Sequence, residues 1–168
     1  MTKRTLLAAV AALAALAASA QMKAGEKYFG PRLGYVSENR SVVAGLTFQA
    51  SVTDHIRLAP EIGCAFRNHG EDALLIDFNV HVPFGMSHSG KVDLYPLAGL
   101  AFNSWSLHGM KNEEGDDVTN HVNRLGLNLG AGFDFRITGS LKMNFEAKYT
   151  LVKKYSAAYV TVGLGYMF

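Results

Sequence analysis

Eleven charged residues share one phase of the segments in which polar and apolar residues alternate. Side chains two positions apart in a β-strand point to the same side, so these charges would lie on one face of a sheet. Six are basic and five are acidic, and charges on an enclosed face must pair or form hydrogen bonds. The pattern therefore predicts a charge network with a structural role, and a narrow ion pathway is the alternative. The eleven residues are Arg32, Arg57, Glu61, Asp77, Asp93, Arg124, Asp134, Arg136, Lys142, Glu146 and Lys148.

A second group of residues resembles the parts of a nucleophilic site. Serine becomes a nucleophile when a histidine takes its proton and an acid orients that histidine. The order and spacing of the group match no catalytic motif, so we expect no enzyme. Its acidic run is predicted to be a solvated surface loop, and contact with a divalent cation is the alternative, because carboxylate oxygens suit Ca²⁺. The group comprises Ser104, Ser106, His108, Glu113, Glu114, Asp116, Asp117 and His121.

The histidines and the cysteine indicate no metal centre. None of the six histidines has a partner at a metal-binding spacing, and most fall in predicted turns. Cys64 is the sole cysteine, so neither an internal disulfide nor a thiolate cluster is expected. We interpret it as a small apolar side chain and expect no metal and no cofactor.

The first twenty residues are predicted to be a cleaved signal peptide. Lys3 and Arg4 precede an apolar run over residues 6–17, and small residues follow at 18–20, in the order typical of such peptides. The run is too short to span a bilayer core of roughly 30 Å. Removal of this peptide takes away two of the 16 basic residues, so the mature chain has equal numbers of basic and acidic residues, 14 of each. No basic patch therefore indicates nucleic-acid binding. Residues 21–168 are predicted to form one domain.

Eight segments of period-two alternation follow, separated by clusters of Gly, Asn, Asp and Ser. Such segments predict β-strands joined by turns. The last segment is the clearest, because alternate residues from Ala158 to Phe168 are all apolar. An even number of strands allows an antiparallel sheet to close with both termini at one end. The predicted strands span residues 28–36, 42–52, 56–66, 73–82, 92–103, 122–137, 141–151 and 157–168.

The direction of the apolar face separates two kinds of barrel. A soluble lipocalin-like barrel turns this face inward, whereas a membrane barrel turns it toward lipid. Glycines crowd the polar face, which suits a narrow lumen, and aromatic residues collect near the strand ends as in interfacial girdles. We therefore predict an all-β fold, an eight-stranded antiparallel up-and-down transmembrane β-barrel. A soluble ligand carrier is the alternative.

Four stretches carry a resemblance to a known family: RLAPEIGCAF at 57–66, VDLYPLAGLAF at 92–102, RLGLNLGAGFDFRITGSLKMNFEAKY at 124–149 and the terminal YMF. They resemble small outer-membrane β-barrel proteins of the OmpA/OmpX type, especially the porin-family barrels of Bacteroidetes-like bacteria. The resemblance implies residence in the outer membrane and contact with its lipid and lipopolysaccharide. It also implies that Tyr166 and Phe168 form a C-terminal signal for the barrel-assembly machinery.

The function expected from these patterns is that of a non-enzymatic monomer with a structural or surface-contacting role. Its one long surface loop, residues 103–121, would contact a partner. An eight-stranded barrel has just enough room for side chains, so a large pore is not expected. A lipid A-modifying barrel enzyme and a narrow ion channel are the alternatives, and no nucleic acid is expected as a partner.

Two local expectations concern strand pairing. If residues 138–140 form a tight turn, Phe133 faces Phe145 and Asp134 sits diagonal to Lys142. Three prolines in predicted strands each remove a ladder donor, so a bulge or a local weakness is expected at each. The prolines are Pro31, Pro60 and Pro96.

Overall fold

The computed structural model describes residues 24–85, 91–111, 117–152 and 156–168. The predicted signal peptide, residues 1–20, lies outside these residues, so its cleavage stays a prediction. Three members of the acidic run, Glu113, Glu114 and Asp116, also lie outside them.

Within the described residues the chain forms eight long strands and one strand of two residues. The eight predicted strands are therefore confirmed, and most of them begin and end close to their predicted bounds. The strands are β1 Lys27–Val36, β2 Ser41–Ser51, β3 Arg57–Asn68, β4 Glu71–His81, β5 Phe84–Gly85, β6 Val92–Lys111, β7 Asp117–Arg136, β8 Leu141–Leu151 and β9 Ala157–Met167.

The long strands close into a barrel. Each pairs antiparallel with the next long strand, and β9 returns to pair with β1. The short β5 lies against the start of β6, while β4 pairs with β6 from Glu71↔Leu107 to His81↔Leu97. The sheet is thus an eight-stranded antiparallel barrel, as predicted. In the described part of the chain, no helix is long and apolar enough to cross a membrane.

The apolar phase of the strands points outward. Leu125, Val160 and Phe168 leave 76%, 61% and 62% of their surface exposed. The opposite phase points into the lumen, where Arg57 and Asp134 are each only 1% exposed. A water-soluble barrel has the reverse arrangement. An apolar outer surface of this kind suits the hydrocarbon core of a membrane.

The prediction of a long surface loop over residues 103–121 is wrong for most of that range. β6 continues to Lys111 and β7 begins at Asp117, and the two strands stay paired beyond Asn103↔Arg124. The polar and apolar alternation continues through this stretch, and cross-strand pairing stabilises it, although its many polar residues suggested a loop. We call residues 103–111 and 117–124 the hairpin arm. The end of the barrel that carries it is the hairpin end, and the opposite end is the terminal end.

Of the two outcomes expected at the prolines, the structure shows weakened ladders and no bulge. The register is unchanged across Pro31 and Pro60, although the β1–β9 and β2–β3 ladders lack rungs beside them. Pro96 lies just beyond the last rung of the β4–β6 ladder. Each missing N–H therefore interrupts one ladder without inserting a residue. In the described ladders, register shifts occur instead between residues 65 and 68 and between residues 107 and 110.

The β7–β8 hairpin has the predicted register. Phe133 faces Phe145 and Arg136 faces Lys142. The two phenylalanine rings stack with their centroids 4.7 Å apart on the outer surface. The short turn over residues 137–140 sets this register, because a tight turn leaves one way to pair the strands that flank it.

The seam between β1 and β9 depends on two glycines that face each other. A Cβ atom at Gly165 would lie 2.7 Å from Gly30 Cα and 2.7 Å from Tyr28 Cε2. Both distances are far shorter than an ordinary contact between carbon atoms. The first and last strands can therefore approach closely only because neither carries a side chain at this point.

We predict that Gly165→Val impairs barrel closure, because its side chain would collide with the backbone of β1. Closed barrels resist unfolding by SDS unless boiled, so the variant should lose most of the faster-migrating band seen in unboiled samples. Gly139→Val is the matched control, since nothing lies within 4 Å of a Cβ atom there. A full mobility shift in Gly165→Val would contradict the importance of this seam.

Candidate functional site in the barrel lumen

The polar phases of the strands converge in the lumen. Of the eleven charged residues expected to share this face, nine are buried, while Arg124 and Arg136 are half-buried at opposite ends. Ten of them fall into two clusters along the barrel axis. The terminal cluster contains Arg57, Asp93, Asp134, Arg136 and Lys142. The central cluster contains Arg32, Glu61, Asp77, Glu146 and Lys148.

In the terminal cluster, Asp134 is held by two cations. Its Oδ2 atom accepts hydrogen bonds from Arg57 Nη1 and, at 3.0 Å, from Lys142 Nζ. Lys142 also donates to Gln49 Oε1 at 2.8 Å and lies 4.4 Å from the centroid of the Tyr28 ring. An enclosed carboxylate needs such partners to offset the loss of water.

Arg136 and Asp93 lie at the outer side of the terminal cluster. Arg136 donates to both carboxylate oxygens of Glu26, at 3.2 and 3.0 Å, and its Nη2 atom lies 3.7 Å from Asp93 Oδ2. Paired hydrogen bonds of this kind fix the planar guanidinium group. Glu26 was not among the predicted residues, because it precedes the first alternating segment and its phase could not be assigned.

In the central cluster, two cations are shared by three carboxylates. Arg32 pairs with Glu61 and, at 3.1 Å, with Glu146. Lys148 Nζ lies 2.6 Å from Glu61 Oε2 and 2.5 Å from Asp77 Oδ2. Each of the three carboxylates in this cluster therefore pairs with Arg32, with Lys148 or with both.

Neutral side chains link the two clusters. The rings of His81 and Tyr95 stack with centroids 4.4 Å apart, and Arg57 Nη2 lies 3.0 Å from His81 Nδ1. The Tyr95 hydroxyl donates to Glu146 Oε2 at 3.4 Å. Our sequence analysis missed these contributions, because it counted charges and expected most histidines in turns. Both residues occupy the polar phase of their strands, and this position could have indicated that they face the lumen.

An apolar cluster, here called the apolar cap, lies toward the hairpin end of the lumen. Its Trp105 is 7% exposed and its Val36 is fully buried. The sequence analysis did not predict it, although apolar residues replace polar ones in the lumenal phase at this end of the strands. The apolar cap consists of Val36, Val43, Ala65, Ala73, Leu75, Trp105, Ala157 and Tyr159.

The serine and histidine candidates form two separate pairs at the hairpin end. Ser106 Oγ lies 3.1 Å from His121 Nδ1. His108 Nε2 lies 2.6 Å from Asp72 Oδ1, which Arg67 Nε also contacts at 3.4 Å. Among the described residues, these contacts do not join a serine, a histidine and an acid in one chain. Nor does any group of three His, Cys, Asp or Glu side chains in those residues suit a metal ion.

An apolar outer wall around a charged, side-chain-filled lumen is the arrangement of a barrel in lipid. Comparison with protein families matches residues 5–168 to the outer membrane protein beta-barrel domain. The chain belongs to this family. Comparison with curated proteins finds no match.

Several solved structures share the fold of this outer-membrane barrel. The N-terminal β-barrel domain of Pseudomonas aeruginosa OprF has a TM-score of 0.70 at 15% identity, over 88% of this chain and 100% of that chain. Neisserial surface protein A has a TM-score of 0.64 at 14% identity, over 85% and 96%. Ail, the attachment invasion locus protein of Yersinia pestis, has a TM-score of 0.62 at 16% identity, over 88% and 100%. At these identities the likeness is one of fold.

The family and the fold together make this chain an integral outer-membrane β-barrel. Tyr166 and Phe168 lie at the terminal end of its outer surface, 58% and 62% exposed, with ring centroids 6.3 Å apart. Both side chains are thus displayed side by side on the last strand. Their role as a signal for the barrel-assembly machinery stays a prediction.

We predict that Lys148→Met lowers the free energy of unfolding by about 3–5 kcal/mol, because it leaves Glu61 and Asp77 buried without this cation. Urea unfolding in lipid vesicles, followed by the fluorescence of Trp105, the sole tryptophan, measures the change. Lys27→Met, at an exposed position, is the matched control and should shift stability by no more than about 0.5 kcal/mol. Equal urea midpoints for the two variants would argue against the importance of the central cluster.

Proposed function

We propose that this outer-membrane barrel is a closed, non-conducting and non-enzymatic protein with a structural and surface-contacting role. The observation that carries the proposal is the filling of the lumen. Two clusters of paired charges occupy its terminal and central parts, and the apolar cap lies beyond them toward the hairpin end.

The contents of the lumen oppose ion passage in two ways. An ion entering the central cluster would have to break pairs such as Lys148–Asp77, whose atoms are 2.5 Å apart, in a place where the separated charges lack water. The apolar cap offers an ion few ligands, because the Tyr159 hydroxyl and the Trp105 ring N–H are the polar side-chain groups among its eight residues. Hydrophobic constrictions exclude water as well as ions. An eight-stranded barrel has no spare width to carry a pathway around these obstacles.

The surface-contacting role is supported by the hairpin arm. Bacterial outer-membrane barrels have short turns on the periplasmic side and longer connections on the cell exterior, so we assign the hairpin end to the exterior. Just below this arm, Phe102 and Leu125 form the last apolar rung of the outer surface, and in the arm Ser104 pairs with Asn123 on the next outward-facing rung. The arm would then stand among the head groups of lipopolysaccharide and in the water beyond.

We expect the wild-type barrel to give no single-channel steps in planar lipid bilayers, because every route through the lumen is occupied. A triple variant, Arg57→Ala with Arg32→Ala and Trp105→Ala, removes one side chain from the terminal cluster, one from the central cluster and one from the apolar cap, and serves as the control in which conduction can appear. Wild-type steps that change in size when Glu146 is neutralised would favour the narrow-channel alternative and overturn this part of the proposal.

The enzymatic alternative makes a separate prediction, because Ser106 and His121 are in hydrogen-bond contact. We expect mass spectra of lipid A from cells that produce wild-type protein, Ser106→Ala or His121→Ala to be the same, and the same as in cells without the protein. His108→Ala serves as a further comparison. A lipid A species that depends on Ser106 would show that the barrel is an enzyme.

A further inference from the structure

A cleft lies at the hairpin end of the lumen, next to the apolar cap, with which it shares Trp105. Its volume is about 290 Å³, part of which is open to solvent, and this is near the lower end of the range for small ligand sites. The cleft combines an apolar wall with charged groups at the outer mouth of the lumen. Its lining comprises Trp105, Leu107 and Val122, and the charged residues Glu38, Glu71 and Arg124.

Strand pairing brings the apolar wall and one carboxylate together. Val122 of β7 faces Trp105 of β6. Leu107 lies two residues further along β6, on the same side of the strand, and faces Glu71 of β4. Cross-strand partners of this kind have Cβ atoms about 5 Å apart. The Glu71 side chain, which is half-buried, therefore lies beside an apolar surface.

Two asparagine side chains fix the turns that carry the carboxylates. Asn39 lies in the turn between β1 and β2, and its Nδ2 atom donates to Glu71 O at 3.0 Å. Asn68, at the end of β3, donates from Nδ2 to Asn39 O at 2.8 Å and to Arg40 O at 2.9 Å. Because these bonds join the two turns, Glu38 and Glu71 are held as neighbours. A site whose geometry is already formed loses less conformational entropy when it binds a ligand.

The charges in the cleft favour the binding of one further cation. Partial burial and, next, the charge of Glu71 raise the pKa of Glu38, which lies in the turn between β1 and β2. Two carboxylates that oppose each other's ionisation in this way are stabilised by a cation close to both. Arg124 supplies one positive charge, so the cleft keeps an excess negative charge when both carboxylates are ionised.

The apolar wall indicates the kind of cation. A hard metal ion such as Ca²⁺ needs many oxygen ligands, and no group of three His, Cys, Asp or Glu side chains in the part of the chain that the structure describes suits a metal ion. The basic side chains of proteins instead carry their charge at the end of an alkyl stem. Such a stem packs on apolar surface while the charged head contacts polar groups, which matches the two halves of this cleft.

We propose that the cleft binds a lysine or arginine side chain of a partner protein at the cell exterior. The alkyl stem would pack on Leu107 and Val122, and the charged head would contact Glu38 and Glu71. The joined turns beside the cleft would support the surface of the partner around that side chain. The inference rests on the proposed surface-contacting role and names the chemistry by which the partner is held.

The test uses the full barrel in phosphatidylcholine nanodiscs and Nα-acetyl-lysine methylamide, which presents a lysine side chain between blocked backbone groups. The arginine compound of the same form is measured beside it. Trp105 is the sole tryptophan and lines the cleft, so its fluorescence reports binding at constant ionic strength. The matched ligand is Nα-acetyl-norleucine methylamide, which has the alkyl chain without the charge. We expect the basic compounds to bind at least about tenfold more tightly, since one hydrogen bond to a charged group corresponds to such a factor.

Variants connect the binding to the two carboxylates. Glu38→Gln and Glu71→Gln each remove one charge with little change in size, so each should weaken binding of the lysine compound at least about tenfold. Asp72→Asn is the matched control, because Asp72 follows Glu71 in β4 and therefore points to the outer side of the strand. It should leave the affinity within about twofold of wild type. Wild-type mobility shifts on unboiled SDS gels would show that the variant barrels are closed, and the comparison of ligands needs no variant.

The outcomes separate the possibilities. Equal binding of the basic and norleucine compounds, or equal binding by wild type and Glu71→Gln, would overturn the inference. Binding of butylammonium but of neither blocked basic compound would show a site for small free amines, and would overturn the assignment to a partner protein. Binding that appears only in a barrel with Lys153→Met and Lys154→Met would show that lysines of the chain itself fill the cleft. Conduction by the wild-type barrel would overturn the closed-lumen proposal alone.

Discussion

A chain that crosses a bilayer with strands must satisfy its backbone hydrogen bonds within the protein, because lipid offers no partners. In this barrel the requirement is met where β9 returns to β1, and the facing glycines Gly30 and Gly165 let those strands approach. The prolines show how small the permitted departures are. Each interrupts one ladder locally, and the register on either side of Pro31 and Pro60 is unchanged. Closure of the barrel therefore satisfies the backbone hydrogen bonds of the wall that faces lipid. It also fixes which side chains meet in the lumen.

The lumen follows from closure through the energetics of buried charge. Alternation places every second side chain of each strand inside, and eight strands leave only enough space for those side chains. Charges there must find partners across the lumen. Asp134 is bonded by Arg57 and Lys142, and Lys148 lies between Glu61 and Asp77. Toward the hairpin end the interior becomes apolar, so that one barrel contains both a charged section and the apolar cap.

The requirement that every backbone hydrogen bond be made within the protein does not apply to the hairpin arm, because the arm extends past the apolar outer surface. Where water replaces lipid, an unpaired strand edge no longer carries the same energetic penalty, since its N–H and C=O groups can bond solvent. The two strands of the arm support each other through cross-strand pairs such as Trp105↔Val122. The residues that looked like candidates for catalysis, Ser106 and His121, belong to this arm and contact each other there. Their hydrogen bond links β6 and β7, and so contributes to the pairing that makes the arm a hairpin instead of a loop.

The sequence by itself determined the number of long strands and the Phe133↔Phe145 register, because alternation and short turns are local properties. It favoured an outward apolar phase through its glycines and aromatic residues, while alternation alone fits either direction. It also determined which charged residues share a face. The tight turn between β7 and β8 already predicted the Asp134–Lys142 pair, which the structure confirms. The other pairs were decided by the tertiary structure: Arg32 and Glu146 are 114 positions apart, and their contact depends on the stagger and tilt of the closed barrel. The same holds for Glu26, whose partner Arg136 lies 110 positions away in the chain, and for the apolar cap, whose residues come from several strands. The extent of the hairpin arm was misjudged for a related reason. Its polar residues resemble a loop locally, and only the pairing between β6 and β7 decided that the chain forms a hairpin there.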